Sequence, residues 1–202
     1  MQSIALQIYT RNGVTKENIF SGKKVLHLGC GNSKLKGAIG VDKLQFPAVD
    51  VLHDLNTSWP FEDNSVDVFF AHSVLGHLSS VVDFFNEVHR VGKNGSRVVI
   101  STPYFRSVDA FSDPTMEHFF TSQSMDYFLD NNSHFSGYGY TQHKFKKIGF
   151  WYGWPQPSAN LITRLFKAFI HRYPKFYDQY LSLIIPVKIV TWELEIIKNN
   201  RY

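Results

Sequence analysis

Cysteine is almost missing from this sequence: Cys30 is the single thiol in 202 residues. One cysteine excludes an intrachain disulfide and any zinc site built from several thiolates. Stability therefore has to come from packing, and a reducing compartment is compatible. Long apolar runs are missing as well. No stretch reaches the roughly 20 residues a helix needs to cross a bilayer, and the first residues show no basic region followed by an apolar one. These absences set the expectation of a cytoplasmic protein without a transmembrane segment. No repeat, low-complexity tract or linker interrupts the chain, so it reads as one domain over residues 1–202 with a C-terminal elaboration from about 151.

What is plentiful is aromatic: 18 Phe and 10 Tyr raise the aromatic share to 16%. Either a Phe-rich core or an aromatic-lined pocket or interface accounts for that. The net charge of +4 is unevenly spread. Residues 1–143 hold 11 Lys/Arg against 14 Asp/Glu, and residues 144–202 hold 10 against 3, so the two parts carry −3 and +7. A basic C-terminal part is either a solvated face or a surface for an anionic partner.

Short apolar runs alternate with turns and one clear helix. Val25–Leu28 ends in Gly29-Cys30-Gly31, Ala38–Val41 ends at Asp42, and Val49–Leu52 ends near Asp54. Val66–Ala71 and Arg97–Ser101 are rich in β-branched and aromatic residues, the second introduced by an expected turn at Gly92-Lys93-Asn94-Gly95. Between them Val81, Phe84, Phe85, Val88 and Val91 recur at helical spacing, with Ser80 and Asp83 forming a capping box. Strand, helix, strand with apolar strands predicts an α/β fold: a Rossmann-like, mostly parallel sheet with helices on both faces. Helices are also expected over Thr121–Leu129 and Asn160–His171, and late strands over Thr141–Phe150 and Lys188–Ile197.

Open parallel sheets bind ligands at the carboxyl ends of their strands. Here those ends carry Gly29 and Gly31, which allow a tight turn close to a ligand, and two carboxylates. Asp42 is placed to accept hydrogen bonds from a ribose diol, and Asp54 one from an adenine amino group. Asp42 follows Gly31 by 11 residues, against about 20 in a dinucleotide-binding fold. The first crossover helix must be short or absent, and a dinucleotide oxidoreductase is disfavoured.

Several segments, in order, resemble the small class I methyltransferases that use S-adenosylmethionine. They are Val25-Leu26-His27-Leu28-Gly29-Cys30-Gly31, Gly40-Val41-Asp42, His53-Asp54-Leu55-Asn56, Trp59 to Asp67, and Asn86 to Gly95. The resemblance implies S-adenosylmethionine as cofactor, held by Gly29, Cys30, Gly31, Asp42, Lys43, Asp54, Leu55 and His72. The early acid is similar to a compact subgroup found among sugar and cell-surface biosynthesis functions. That subgroup carries Asp-Pro-Thr-His-x-His-Phe after the fifth strand. Asp113-Pro114-Thr115-Met116-Glu117-His118-Phe119 matches it with Met116 in place of the first histidine, and Gly76-His77 stands where Glu-His is usual.

The resemblance also implies methyl transfer to a small-molecule or glycan acceptor, at oxygen. A sulfonium methyl is already activated, so positioning supplies most of the rate and a base is needed only to deprotonate an alcohol or amine. The candidate catalytic residues are His118, with Asp113 to orient it, and His77; Tyr104 either binds the acceptor or packs. His72 is read chiefly as shaping the cofactor pocket through its backbone. Cys30 is read as small filler, no metal site is expected, and Glu193 and Glu195 are read as a solvated strand face.

Two other functions stay open: RNA or protein methylation, motivated by the basic C-terminal part although nucleic acid is not favoured, and a binding protein that keeps the fold without the reaction. The aromatic and basic region Leu161–Pro186 is a helix packing on the sheet or on a dimer partner, a lid, or a surface for membrane or lipid. Peripheral membrane contact and a monomer or homodimer are both compatible.

Overall fold

The computed structural model describes residues 3–9, 20–130, 138–155 and 160–198. In chain order its elements are α1 (Ile4–Ile8), β1 (Val25–Leu28), β2 (Ile39–Asp42), β3 (Val51–Leu52), β4 (Val66–His72), α2 (Val81–Val91) and β5 (Gly92–Pro103). After these come α3 (Asp109–Ser112), β6 (Lys144–Tyr152), α4 (Leu161–Arg172), α5 (Pro174–Phe176) and β7 (Ile189–Ile197). The strands form one sheet in the order β3-β2-β1-β4-β5-β7-β6. The first five run parallel and β7 runs antiparallel to both neighbours. The strand order reverses between β1 and β4, which makes their carboxyl ends the natural ligand crevice.

No helix separates β1 from β2 among residues 29–38, as the short spacing requires. The turn that replaces it is held by side chains. Leu35 N–H donates to His27 Nδ1 at 3.1 Å, Gly31 N–H to Asp42 at 2.8 Å, and Gly40 N–H to Asp50 at 2.7 Å, while Lys34 pairs with Asp50.

Strand alternation divides the core in two. On one face Leu26, Leu28, Phe69, Val98 and Ile100 meet Phe84, Phe85, Val88 and Val91 of α2. Ser80 caps that helix by accepting the Asp83 N–H at 3.1 Å. On the other face Val25, Val68, Phe70 and Val99 meet Ile4, Ala5 and Ile8 of α1.

Three sequence expectations are corrected. Residues 92–95 are not a separate turn: β5 already pairs Gly92 with Val66, then bulges, with Gly95 at φ +81°, before Arg97 pairs with Val68. The expected helix over Thr121–Leu129 is only a 3-10 turn at Ser124–Phe128. Thr121 and Ser124 spend their hydroxyls on local backbone N–H groups, and Asp126 is drawn to Lys147 at 2.8 Å. Glu193 is fully buried instead of solvated. It accepts from Ser3 Oγ and from the N–H groups of Ile4 at 2.9 Å and Ala5 at 3.2 Å, and it pairs with Arg97, which also reaches Glu195. A buried carboxylate is tolerable only with partners of this kind, and here it closes the amino end of α1.

A second buried carboxylate fixes the C-terminal segment. Asp178 lies in one irregular turn of helix after α5. It accepts from Tyr104 Oη at 2.8 Å, Tyr152 Oη at 2.6 Å, and Ser122 Oγ and N–H at 2.7 and 3.1 Å. Among the described residues no helix is long and apolar enough to cross a membrane.

Candidate functional site

A cavity of about 260 Å³ opens where the strands reverse. Gly29, at φ +64° directly after β1, forms part of its floor. A Cβ there would lie 2.6 Å from Val74 Cγ2, so both conformation and space require glycine. Asp42, the last residue of β2, gives one carboxylate oxygen to Gly31 N–H and the other to Leu44 N–H at 2.9 Å. Each oxygen keeps a lone pair for a ligand. Asp54 accepts from Asn56 N–H and Nδ2 at 3.0 Å through a single oxygen, leaving the other unused among the described contacts.

Beyond β4 the chain turns sharply at Ser73, which holds φ +52° and donates its N–H to Ser101 O at 2.7 Å. That left-handed conformation is costly for serine and typical of residues held in place at a ligand crevice. Val74, His77 and Leu78 follow it into the wall, and Asp113 and Thr115 extend that wall beside His77. Among the described lining residues, the carboxylates of Asp42, Asp54 and Asp113 are accompanied by one ammonium, that of Lys43. With neutral imidazoles the lining carries −2, a field that favours a cationic ligand.

The cavity gathers five of the eight candidate cofactor residues, Gly29, Asp42, Lys43, Asp54 and Leu55. Cys30 is buried beside it, its thiol pKa raised chiefly by burial, and Gly31 meets it only through the bond to Asp42. His72 is not in it. Alternation along β4 puts its side chain with Val68 and Phe70 on the α1 face, where Nδ1 bonds Ser101 Oγ at 2.8 Å and the ring lies 5.1 Å from Trp154.

The catalytic candidates are divided as well. Asp113 does not orient His118; it faces His77, with 4.0 Å between Oδ2 and Nε2. Thr115 links them, because its Oγ1 donates to Asp113 Oδ1 at 2.8 Å and bonds His77 Nδ1 at 2.9 Å. The hydroxyl proton goes to the carboxylate, and Thr115 O, an acceptor only, also faces Nδ1 at 3.3 Å. With that proton directed at the carboxylate, both Thr115 oxygens facing His77 Nδ1 are acceptors, a geometry that suits a proton on Nδ1. Two hydrogen bonds from Thr115 hold the Asp113 carboxyl below its usual range.

His118 points to a neighbouring groove of about 360 Å³, lined by Phe119, Phe120, Tyr127, Phe128 and Tyr140. Its Nε2 is buried, with no hydrogen-bond partner among the described residues. Tyr104 is fully buried on Asp178 and packs instead of facing a ligand. Sequence reasoning missed Ser73, Val74 and Thr115. Thr115 lay within a quoted motif, but nothing marks a serine for a left-handed turn.

The resemblance read from the sequence holds. Residues 33–100, spanning β2 to most of β5, match the model of the methyltransferase domain family. A Mycolicibacterium smegmatis protein named "Probable S-adenosylmethionine-dependent methyltransferase" is 30% identical over 100 residues, covering 41% of this chain and 39% of that one. The match thus spans about two fifths of that relative's length. Among solved structures, an S-adenosylmethionine-dependent methyltransferase from Mesorhizobium loti superposes with a TM-score of 0.55 at 14% identity, over 87% of this chain and 92% of that one. The YcgJ protein of Bacillus subtilis gives 0.53 at 16% identity, over 88% and 93%. The chain is similar to the class I S-adenosylmethionine-dependent methyltransferases in sequence over its central segment, and it has their Rossmann-like fold.

Proposed function

We propose that the protein is an S-adenosylmethionine-dependent methyltransferase that acts on a hydroxyl of a small-molecule or glycan acceptor. The observation that carries this reading is one cavity holding both a cofactor-like cradle and a histidine linked through Thr115 to a carboxylate. Asp42 suits the ribose diol, Asp54 the adenine amino group, and the net negative lining a cationic sulfonium. When bound, the cofactor supplies a methyl group already activated by positive sulfur.

The residues of the chain then have three tasks. The walls from Ser73 to Leu78 and Asp113 to Thr115 position the acceptor and limit water. His77 Nε2 takes the hydroxyl proton as the acceptor oxygen becomes nucleophilic. Thr115 and Asp113 keep Nδ1 protonated and favour the imidazolium that forms, the logic of a catalytic triad with a hydroxyl inserted. The aromatic groove beside His118 suits the apolar faces of a sugar ring.

Gly76 and Met116, which depart from the subgroup pattern, favour a second reading in which the cofactor binds and no methyl is transferred. Calorimetric titration with S-adenosylmethionine and, separately, NAD tests the cofactor. Micromolar binding of the first alone is expected, and binding of NAD alone would overturn the reading. Methyl transfer from labelled cofactor across sugars and metabolites then separates an enzyme from a binding protein.

A further inference from the structure

Water-exposed apolar side chains are concentrated in one stretch of this chain. Ten of the eighteen exposed large hydrophobic residues among those described lie between 161 and 185. Leu161, Ile162, Leu165 and Phe169 are 41–82% exposed, and α4 spaces them three and four apart along one stripe. Ring contacts continue it, from Phe169 to Tyr173 and Phe176 and from Phe176 to Tyr180, at 5.2–6.3 Å. The turn that follows exposes Leu183, Ile184 and Ile185 in succession, at 64, 77 and 49%. A contiguous apolar surface of this kind marks an interaction site. It is rigidly mounted, because Asp178 ties its centre to Tyr104, Tyr152 and Ser122.

Its charge narrows the partner. Exposed Arg164, Arg172 and Lys175 belong to the same segment, Lys188 follows it, and the one carboxylate between 160 and 192 is the buried Asp178. A second copy placed on this face by a two-fold axis would bring two sets of these cations together, with no exposed acid from this segment to offset them. What covers the face has to be both apolar and anionic. We infer that it docks on a bilayer containing anionic lipid. The Leu183–Ile185 turn and the aromatic stripe enter the headgroup boundary, and the Lys and Arg side chains meet lipid phosphates. Tyr104, which Asp178 grips, directly follows β5, so the surface is fastened at the sheet edge that also bears the cavity. The inference is independent of methyl transfer and needs no cofactor in its test.

The experiment is flotation of the full chain with vesicles of phosphatidylcholine alone or mixed with phosphatidylglycerol. Binding is expected to the mixed vesicles only, and to weaken with rising salt. Each basic residue at such a surface strengthens binding about fivefold, so Arg172→Gln with Lys175→Gln should lose about 25-fold. Ile184→Asp should also release the protein from vesicles, with melting temperature unchanged in both variants because the altered side chains are exposed. Absence of binding to the mixed vesicles, or equal binding by the variants, would overturn the inference. So would a dimer in sedimentation that Ile184→Asp dissociates, since a second copy would then cover the face.

Discussion

Gly76 and Met116 fit together as a pair: a Cβ on Gly76 would lie 1.9 Å from Met116 Sδ. They are also the two positions at which the chain departs from the subgroup it resembles. The methionine occupies the space a side chain at 76 would need, so each departure accommodates the other. Gly76 O meanwhile accepts the N–H groups of Glu117 and His118 at 2.7 and 3.2 Å. That keeps the wall between cavity and groove in place.

A side chain at 76 should therefore cost stability only while the methionine is present. Gly76→Ala is expected to destabilise by up to about 1 kcal/mol, because the clash falls on the end of a flexible methionine that can shift. Met116→Ala in the same chain should recover most of it, giving a coupling of the size found for residues in contact. Urea denaturation of the four members of the cycle measures this, and additivity would refute the pairing.

Asp42→Ala should weaken S-adenosylmethionine binding by about 1.5–3 kcal/mol, the loss of charged hydrogen bonds. Calorimetry reads this directly, and unchanged affinity would remove Asp42 from the cofactor site.

The relay through Thr115 makes a spectroscopic claim. Nitrogen NMR of His77 at neutral pH should show the proton on Nδ1, and Thr115→Val should shift it toward Nε2. Once an acceptor is known, His77→Gln should lower kcat by about 10²–10⁴ with little change in cofactor affinity.

Acid should unfold the protein through its buried histidines. Burial, with a smaller contribution from His72, pushes the His27 pKa down to about 4 from 6.5, and Leu35 N–H already occupies its Nδ1. His72, His89, His143 and His171 are lowered in the same direction, chiefly by burial. Between pH 6.5 and 4 the unfolded chain binds more protons than the folded one, so stability falls as pH falls through that window. For His27 alone the loss is up to about 3 kcal/mol. Denaturation midpoints across the window should flatten in His27→Gln, relative to that variant's own value at neutral pH.

The parallel half of this fold was legible because its signals are local: apolar runs, glycine at strand ends, and helical spacing in α2. The missing first helix followed from counting residues between Gly31 and Asp42. What was hidden depends on partners far away in the chain. Glu193 alternates with Glu195 as a wet strand face would, and only α1 and Arg97 explain its burial. Asp178 carries no local mark of the four hydrogen bonds it collects. His72 and His77 stand five residues apart, yet alternation along β4 sends His72 to the α1 face while the turn after the strand carries His77 into the cavity wall.

The Glu193 clamp also imposes an order on synthesis. Its partner Ile4 lies 189 residues away in the chain, a distance the ribosome covers in about 10–40 s at roughly 5–20 residues per second. A five-residue helix does not persist by itself in water. For all that time α1 has no acceptor for its leading amides, so it can settle only after β7 has emerged. A helix made long before β7 is thus among the last elements to find its place.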